Sequence, residues 1–296
     1  MPETTVLDRP PRMGPLYRAA ALRRSAGGAT LPDRALRLDG VRIDRAHLAE
    51  YDRVCGFRLS DELPATYPHV LAFPLAMALM TANDFPFAIL GLVHVANRVE
   101  VRRPLLAGET FSLEVRAEHL RPHDRGTQLD VVATATVDGE EVWLDRSTYL
   151  RKSGKSGKSE KPGRSEQREE PGQIVWRVPR STGTEYAAVS ADRNPIHTSR
   201  ILARAFGFRS TIAHGMWTKA RCLAALEGRL PDAYAAEVAF KLPVLLPATV
   251  AFRARQGAGG KGWRFDVHDR RTGKPHLTGA IVDPHCADPD EGDRAA

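Results

Sequence analysis

In the second half of the chain, apolar and polar residues alternate in short runs, and glycine or proline closes each run. Glu237–Leu242, Thr249–Gln256, Trp263–Asp269 and His276–Val282 have this form, separated by Pro247, Gly257–Gly262 and Gly273. A period of two in runs of this length predicts antiparallel strands. Ahead of them, Trp217–Leu230 is rich in Ala, Leu, Lys and Arg, contains no proline and closes near Gly228. That predicts a helix of three to four turns. The first half shows the same order. Its longest apolar stretch, Val70–Met80, is interrupted by Pro74 and is followed by strand-like runs. One long helix and an antiparallel sheet in each half predict an α+β fold in which each sheet wraps its helix.

The two halves also align as sequences. Pro104–Arg116 matches Pro243–Arg255 without gaps at an offset of 139, which sets Leu106 against Leu245 and Thr110 against Thr249. Gly126–Val131 matches Gly262–Val267 at an offset of 136, and Leu71–Leu75 matches Ile212–Met216 at 141. Three matches in one order predict a duplicated domain. On this alignment Pro74 occupies the position of Gly215, where it has no N–H to donate.

Between the halves, residues 151–173 hold no large apolar side chain and repeat Gly, Ser and Lys. Such a composition cannot bury enough surface to offset its ordering entropy, so it reads as a linker. Its two Gly-Lys-Ser triplets are not a phosphate loop, because Tyr149 and Lys152 stand where that loop needs a glycine. Gly257–Gly262 joins two strands rather than a strand to a helix, which makes it a hairpin turn. The chain therefore divides into an N-terminal extension (1–34), a first copy (35–150), the linker (151–173), a second copy (174–284) and a tail (285–296).

Composition excludes several classes. The chain has 296 residues, 42% of them hydrophobic and 27% charged, which fits about two globular domains. No apolar run approaches the ~20 residues of a membrane-spanning helix, and the Arg-rich N-terminus lacks a secretory apolar core. Cys55, Cys222 and Cys286 are too few for a disulfide framework and too dispersed for a metal knuckle. A cytoplasmic protein is expected. The net charge of +7 is uneven: +3 in 1–34, −5 in 35–150, +3 in 151–172 and +6 in 173–296. Without Lys/Arg runs interleaved with aromatics or a zinc-finger spacing, the basic second half suits a small anionic ligand better than nucleic acid.

The chemistry concentrates in Tyr186–Phe208 and Ile212–Met216. Asn194 is a good helix N-cap, Pro195 suits the first helical position and Gly207 ends the helix. His197 falls in the first turn, where the helix dipole disfavours the imidazolium, and Asp192 lies just outside. By themselves these residues read two ways. Asp192 is a turn cap and His197 a surface residue, or the two form a neutral base with an adjacent carboxylate, equipped to handle the proton of one water.

The segment resembles the MaoC-like (R)-specific enoyl-CoA hydratase family, also called hydratase 2. Tyr186, Val189, Ser190, Asp192, Asn194, Pro195, Ile196, His197 and Ala203 stand at its motif positions, with His214-Gly215 following at the family's distance. Ala191 replaces the family's usual glycine. The resemblance implies a double hot-dog fold and no metal or cofactor. It makes Asp192 and His197 the catalytic pair and the Gly215 N–H the donor to the thioester carbonyl, with Asn194, His214 and Tyr186 in support. The first copy has no such motif; its nearest counterpart, Tyr51–Phe57, offers Asp52 but no histidine, so that copy is expected to be non-catalytic. Arg200, Arg204 and Arg209 are candidates for carrier phosphates or are solvated helix charges. The expected reaction is reversible hydration of trans-2-enoyl thioesters of coenzyme A or acyl-carrier protein, by a monomer or homodimer without nucleic-acid or membrane partners. Alternatives are a hydratase for a branched or dicarboxylic acyl-CoA and a non-catalytic acyl-thioester-binding or scaffold subunit.

Overall fold

The computed structural model describes residues 3–23, 30–153, 173–257 and 262–285. Most of the linker, the core of the 257–262 turn, Cys286 and the rest of the tail lie outside the described residues. In the first half, β1 (Glu3–Leu7) and α1 (Met13–Leu22) precede β2 (Arg34–Val41), α2 (Arg45–Cys55) and α3 (Tyr67–Thr81). Then come β3 (Leu92–Val101), β4 (Phe111–His123), β5 (Gly126–Val137) and β6 (Glu140–Lys152). The second half holds β7 (Ile174–Val178), α4 (Thr182–Ser190), α5 (Pro195–Thr198), α6 (Arg200–Ala205) and α7 (Gly215–Ala225). It closes with β8 (Tyr234–Phe240), β9 (Ala248–Gln256), β10 (Trp263–Asp269) and β11 (Pro275–Val282).

The strands form one sheet in the order β1-β2-β4-β5-β6-β3-β8-β11-β10-β9-β7. Outward from the central β3–β8 pair, β3-β6-β5-β4-β2 is repeated by β8-β11-β10-β9-β7. Two five-stranded units thus meet edge to edge, each covering the other's exposed ladder. β1 adds a parallel edge, with Glu3–Leu7 opposite Arg34–Leu38. At the seam Arg98 lies opposite Glu237. Its guanidinium is 7% exposed and pairs with Glu237 and, at 2.7 Å, with Glu100.

Hydrogen bonds test the internal alignment. Leu106 bridges Glu62 and its partner in the alignment, Leu245, bridges Ile212. Beside them the Leu63 N–H donates to the Leu105 carbonyl at 2.8 Å and the Ala213 N–H to that of Val244 at 2.9 Å. The match at offset 139 therefore holds in three dimensions. The match of Leu71–Leu75 to Ile212–Met216 does not, because the ladder makes Leu63 the counterpart of Ala213. Pro74 lies inside α3, and Ala65 takes the place equivalent to Gly215. α3 is apolar on every side, so no periodicity marked its beginning; Pro68 in its first turn was the usable signal.

Both long helices lie in the core. α3 buries Val70, Ala72, Leu75, Met77, Leu79 and Met80, and α7 buries Met216, Trp217, Ala220, Cys222 and Leu223. They share one apolar cluster with Leu113, Ala135, Val250 and Val267 of the sheet. Each fully buried side chain of this size contributes about 1.5–3 kcal/mol of transfer free energy. α7 also carries Lys219, fully buried, whose Nζ donates to the Ala236 carbonyl at 2.8 Å and to Asn97 Oδ1. Burial lowers its pKa to about 7. The Asn97 amide donates in turn to Asp145, as do Ser147 Oγ and His69 Nδ1, each at 3.1 Å. This network crosses the seam and, with its partners supplied, fixes how the halves register. Among the described residues, no helix is long and apolar enough to cross a membrane.

Candidate active site

α4 ends at Ala191, whose φ of +58° is left-handed. Alanine there costs about 1 kcal/mol relative to glycine. The turn that follows is held by short-range bonds. Ser190 Oγ donates to the Tyr186 carbonyl at 2.7 Å and accepts from the Asp192 N–H at 3.2 Å. Asp192 Oδ1 accepts from the Asn194 N–H at 3.1 Å, and Asn194 Oδ1 accepts from the Ile196 N–H at 3.3 Å, capping α5. The single helix expected from Pro195 to Gly207 is broken at Ser199, which is extended and starts α6 by accepting from the Leu202 N–H. A serine that caps the next turn competes with continuing the helix.

His197 is buried, and its Nδ1 donates to the Ile212 carbonyl at 2.8 Å. That bond fixes the tautomer and leaves Nε2 as a base. Burial lowers the His197 pKa, against the opposing pull of Asp192, so the ring is neutral at pH 7. α5 is a single turn, and desolvation rather than a helix dipole keeps the ring neutral. Burial pushes the Asp192 carboxyl up, but His214, His197 and the Asn194 N–H outweigh it and hold it below the ordinary carboxylate range.

His214 joins the pair from the start of α7. Its Nε2 donates to the Asp192 carbonyl at 2.9 Å, and its ring stacks on His197 with centroids 3.6 Å apart. Burial, then His197, pushes its pKa down to about 3. Tyr186 packs beneath, with ring centroids 4.9 Å from His214 and 6.3 Å from Tyr51. Ligand atoms of Asp192, His197 and His214 lie within 4.8 Å of one another. One water spans such a gap between Asp192 and His197.

Two glycines set the spacing. Gly215 opens α7 with no side chain capping the helix, so its N–H is free of intrahelical bonding. A Cβ there would stand 2.9 Å from the Phe240 ring. On α4, a Cβ at Gly183 would stand 2.2 Å from the His197 carbonyl oxygen. Sequence reading missed Gly183, because a helical glycine carries no sign of what packs on it. It also missed His47, whose Nε2 bonds the Val189 carbonyl at 2.9 Å and whose Nδ1 bonds Tyr67 Oη at 2.8 Å. Through that contact the first half supports the last turn of α4.

The remaining candidates separate. Arg200 and Arg204 on α6, and Arg209 beyond it, are exposed and lie outside the Asp192–His197–His214 cluster. In the first half, α2 ends at Gly56 (φ +80°), as α4 ends at Ala191, and Tyr51 precedes that turn by five residues, as Tyr186 does. Phe57 therefore stands where Asp192 stands. Asp52 lies inside α2, and burial, then Glu227, raises its pKa to about 7. The two segments correspond, but Asp52 is not the counterpart of the carboxylate.

A family model described as the MaoC like domain matches residues 159–280. The 3-hydroxyacyl-thioester dehydratase X of Mycobacterium tuberculosis is 38% identical over 270 residues, covering 88% of this chain and 96% of that protein. A crystal structure of HtdX of M. tuberculosis superposes with a TM-score of 0.74 at 37% identity, over 84% of this chain and all of the other. A MaoC-like dehydratase from Phytophthora capsici, 18% identical, shares the fold at a TM-score of 0.68, over 84% and 94% of the two chains. With a shared hot-dog architecture and this extent of identity, the chain belongs to the MaoC-like dehydratase family.

Proposed function

We propose that the chain catalyses reversible hydration of trans-2-enoyl thioesters to (R)-3-hydroxyacyl thioesters, with Asp192 and His197 as the catalytic pair. The observation that carries this reading is a carboxylate and a neutral, tautomer-fixed imidazole within 4.8 Å of each other, beside the uncapped start of α7. A water held between Asp192 and His197 Nε2 gives the dyad a proton as its oxygen bonds Cβ. The double-bond electrons move through Cα onto the thioester carbonyl, and the Gly215 N–H donates to the oxygen that gains charge. The enolate then collapses by taking the proton back at Cα. Water alone is added, and dehydration is the reverse. General acid–base action of this kind supplies about 10²–10⁴-fold in rate, and one preorganised oxyanion donor about 3 kcal/mol.

The carrier is coenzyme A or an acyl-carrier protein, with Arg200, Arg204 and Arg209 as contacts for its phosphates. Residues 35–150 act as a non-catalytic copy that forms a wall of the acyl site, and residues 174–284 as the catalytic copy. Because the β3–β8 pair joins two copies within one chain, a monomer is a complete unit and a homodimer is the alternative. Buried, unpaired Cys55 and Cys222 are in keeping with a cytoplasmic setting.

The test follows loss of the conjugated thioester absorbance with crotonyl-CoA and a longer enoyl-CoA. Turnover that falls at least a hundredfold in Asp192→Asn and in His197→Ala is expected. Unchanged turnover in either variant refutes the mechanism. Tight acyl-CoA binding without turnover by the wild type would make the chain a binding subunit instead.

A further inference from the structure

Asp192 is the central residue of a three-residue turn closed by the Arg193 N–H donating to the Ala191 carbonyl at 3.0 Å. The second copy holds this turn through Ser190 Oγ on the Asp192 N–H and His214 Nε2 on the Asp192 carbonyl. A further brace comes from the N-terminal extension, 174 residues away in sequence. Tyr17, on α1, donates from its hydroxyl to the Ala191 carbonyl at 2.8 Å and accepts from the Arg193 N–H at 2.6 Å. One phenol therefore bonds both ends of the turn whose apex is the carboxylate.

α1 is secured for this task at both ends. β1 pairs with β2 before it. After it, Arg23 donates to the Met80 carbonyl at 2.9 Å and to the Asn83 carbonyl at 3.3 Å, at the end of α3. Burial, then the charge of Asp192, raises the Tyr17 pKa, so the phenol stays a donor at neutral pH. The turn needs support, because Ala191 holds a left-handed φ that disfavours a side chain.

We infer that Tyr17 is a positioning residue for Asp192: the N-terminal extension completes the active site by clamping the 191–193 turn. The inference rests on the hydratase reading above for its kinetic consequence, and on geometry alone for the clamp. Tyr17→Phe keeps the ring and removes both bonds. kcat is expected to fall about tenfold through misplacement of Asp192, with KM within twofold and the melting temperature lower by no more than a few degrees, the cost of two hydrogen bonds. Amide exchange in a 190–196 peptide should accelerate. Adding Ala191→Gly to Tyr17→Phe should restore most of kcat, since glycine holds this turn without a brace.

A Tyr17→Phe enzyme with wild-type kcat, or a loss of kcat that Ala191→Gly does not recover, overturns the proposal. If the wild type turns over no enoyl thioester, the hydratase reading fails by itself. The exchange measurement then decides the clamp, and unchanged protection of 190–196 in Tyr17→Phe overturns it.

Discussion

Gly183→Ala adds one methyl group to α4 at a point where the structure has no room for it. The new Cβ would lie 2.2 Å from the His197 carbonyl oxygen, 3.2 Å from the His197 carbonyl carbon and 3.4 Å from Leu246 Cδ1. Carbon and oxygen approach to about 3.3 Å at closest, so the helix and the His197 backbone must separate by about 1 Å. Both contacts on His197 are backbone, and no rotamer change relieves them. Overpacking of this kind costs about 1–3 kcal/mol of stability. The sharper effect is kinetic. A 1 Å shift of His197 relative to Asp192 is expected to lower kcat about 100-fold, equivalent to about 2.7 kcal/mol in the barrier, with KM little changed. The assay is steady-state hydration of crotonyl-CoA, paired with thermal melting. Gly14→Ala serves as control, since a Cβ at Gly14 meets nothing within 4 Å, and it should leave both readouts unaltered. A Gly183→Ala enzyme with kcat within twofold of wild type and an undiminished melting temperature refutes the argument that Gly183 sets the His197 position.

Gly215→Ala brings a Cβ to 2.9–3.1 Å from the Phe240 ring; displacing that ring or the helix start should cut kcat/KM about tenfold or more, and a wild-type value would mean that the α7 terminus does not act on substrate. The pH dependence has a defined sign. Unfolded chain protonates His214 below its ordinary 6.5, whereas the folded ring resists until about 3. Stability is therefore full above 6.5 and declines as pH falls from 6.5 toward 3, and a melting temperature that is flat between pH 7 and 4 would contradict this. Because the His197 pKa is lowered by burial, the acid limb of kcat/KM for hydration should fall below 6.5, and a limb centred at 6.5 or higher would argue against a desolvated base. Arg98→Met strands Glu100 and Glu237 at the seam and should cost about 2–3 kcal/mol in urea unfolding; a loss under 0.5 kcal/mol would show that the ion pairs do not hold the halves together.

The sequence disclosed much of the architecture, because duplication leaves its mark on composition and spacing. The alternating runs appear as β8–β11 within a few residues of the expected limits, and the 104–116 repeat survives as matched bridges at Leu106 and Leu245. Local capping was equally legible. Asn194, Pro195 and Gly207 do locally what their chemistry dictates, since a cap acts over two or three residues. Misreadings arose where the deciding contact was remote or the pattern was uniform. α3 is apolar all round and offers no period, so the expected start and Pro74 lie nine residues from where the ladder puts them. The break at Ser199 turned on whether one hydroxyl caps the next turn or not.

By itself, then, the sequence determined the α+β class, the repeat and the segment that gathers Asp192, Asn194 and His197, all of which rest on near-neighbour chemistry. Tertiary structure alone decided why His197 is neutral, which is desolvation and not the dipole of a one-turn helix. It alone brought His214 face to face with His197, set Gly183 against the His197 carbonyl, put Phe57 in the place of a carboxylate, and laid Tyr17 across the Asp192 turn. Those features depend on packing between residues up to 176 positions apart. Burial and close approach belong to pairs of distant surfaces, so no local pattern encodes them.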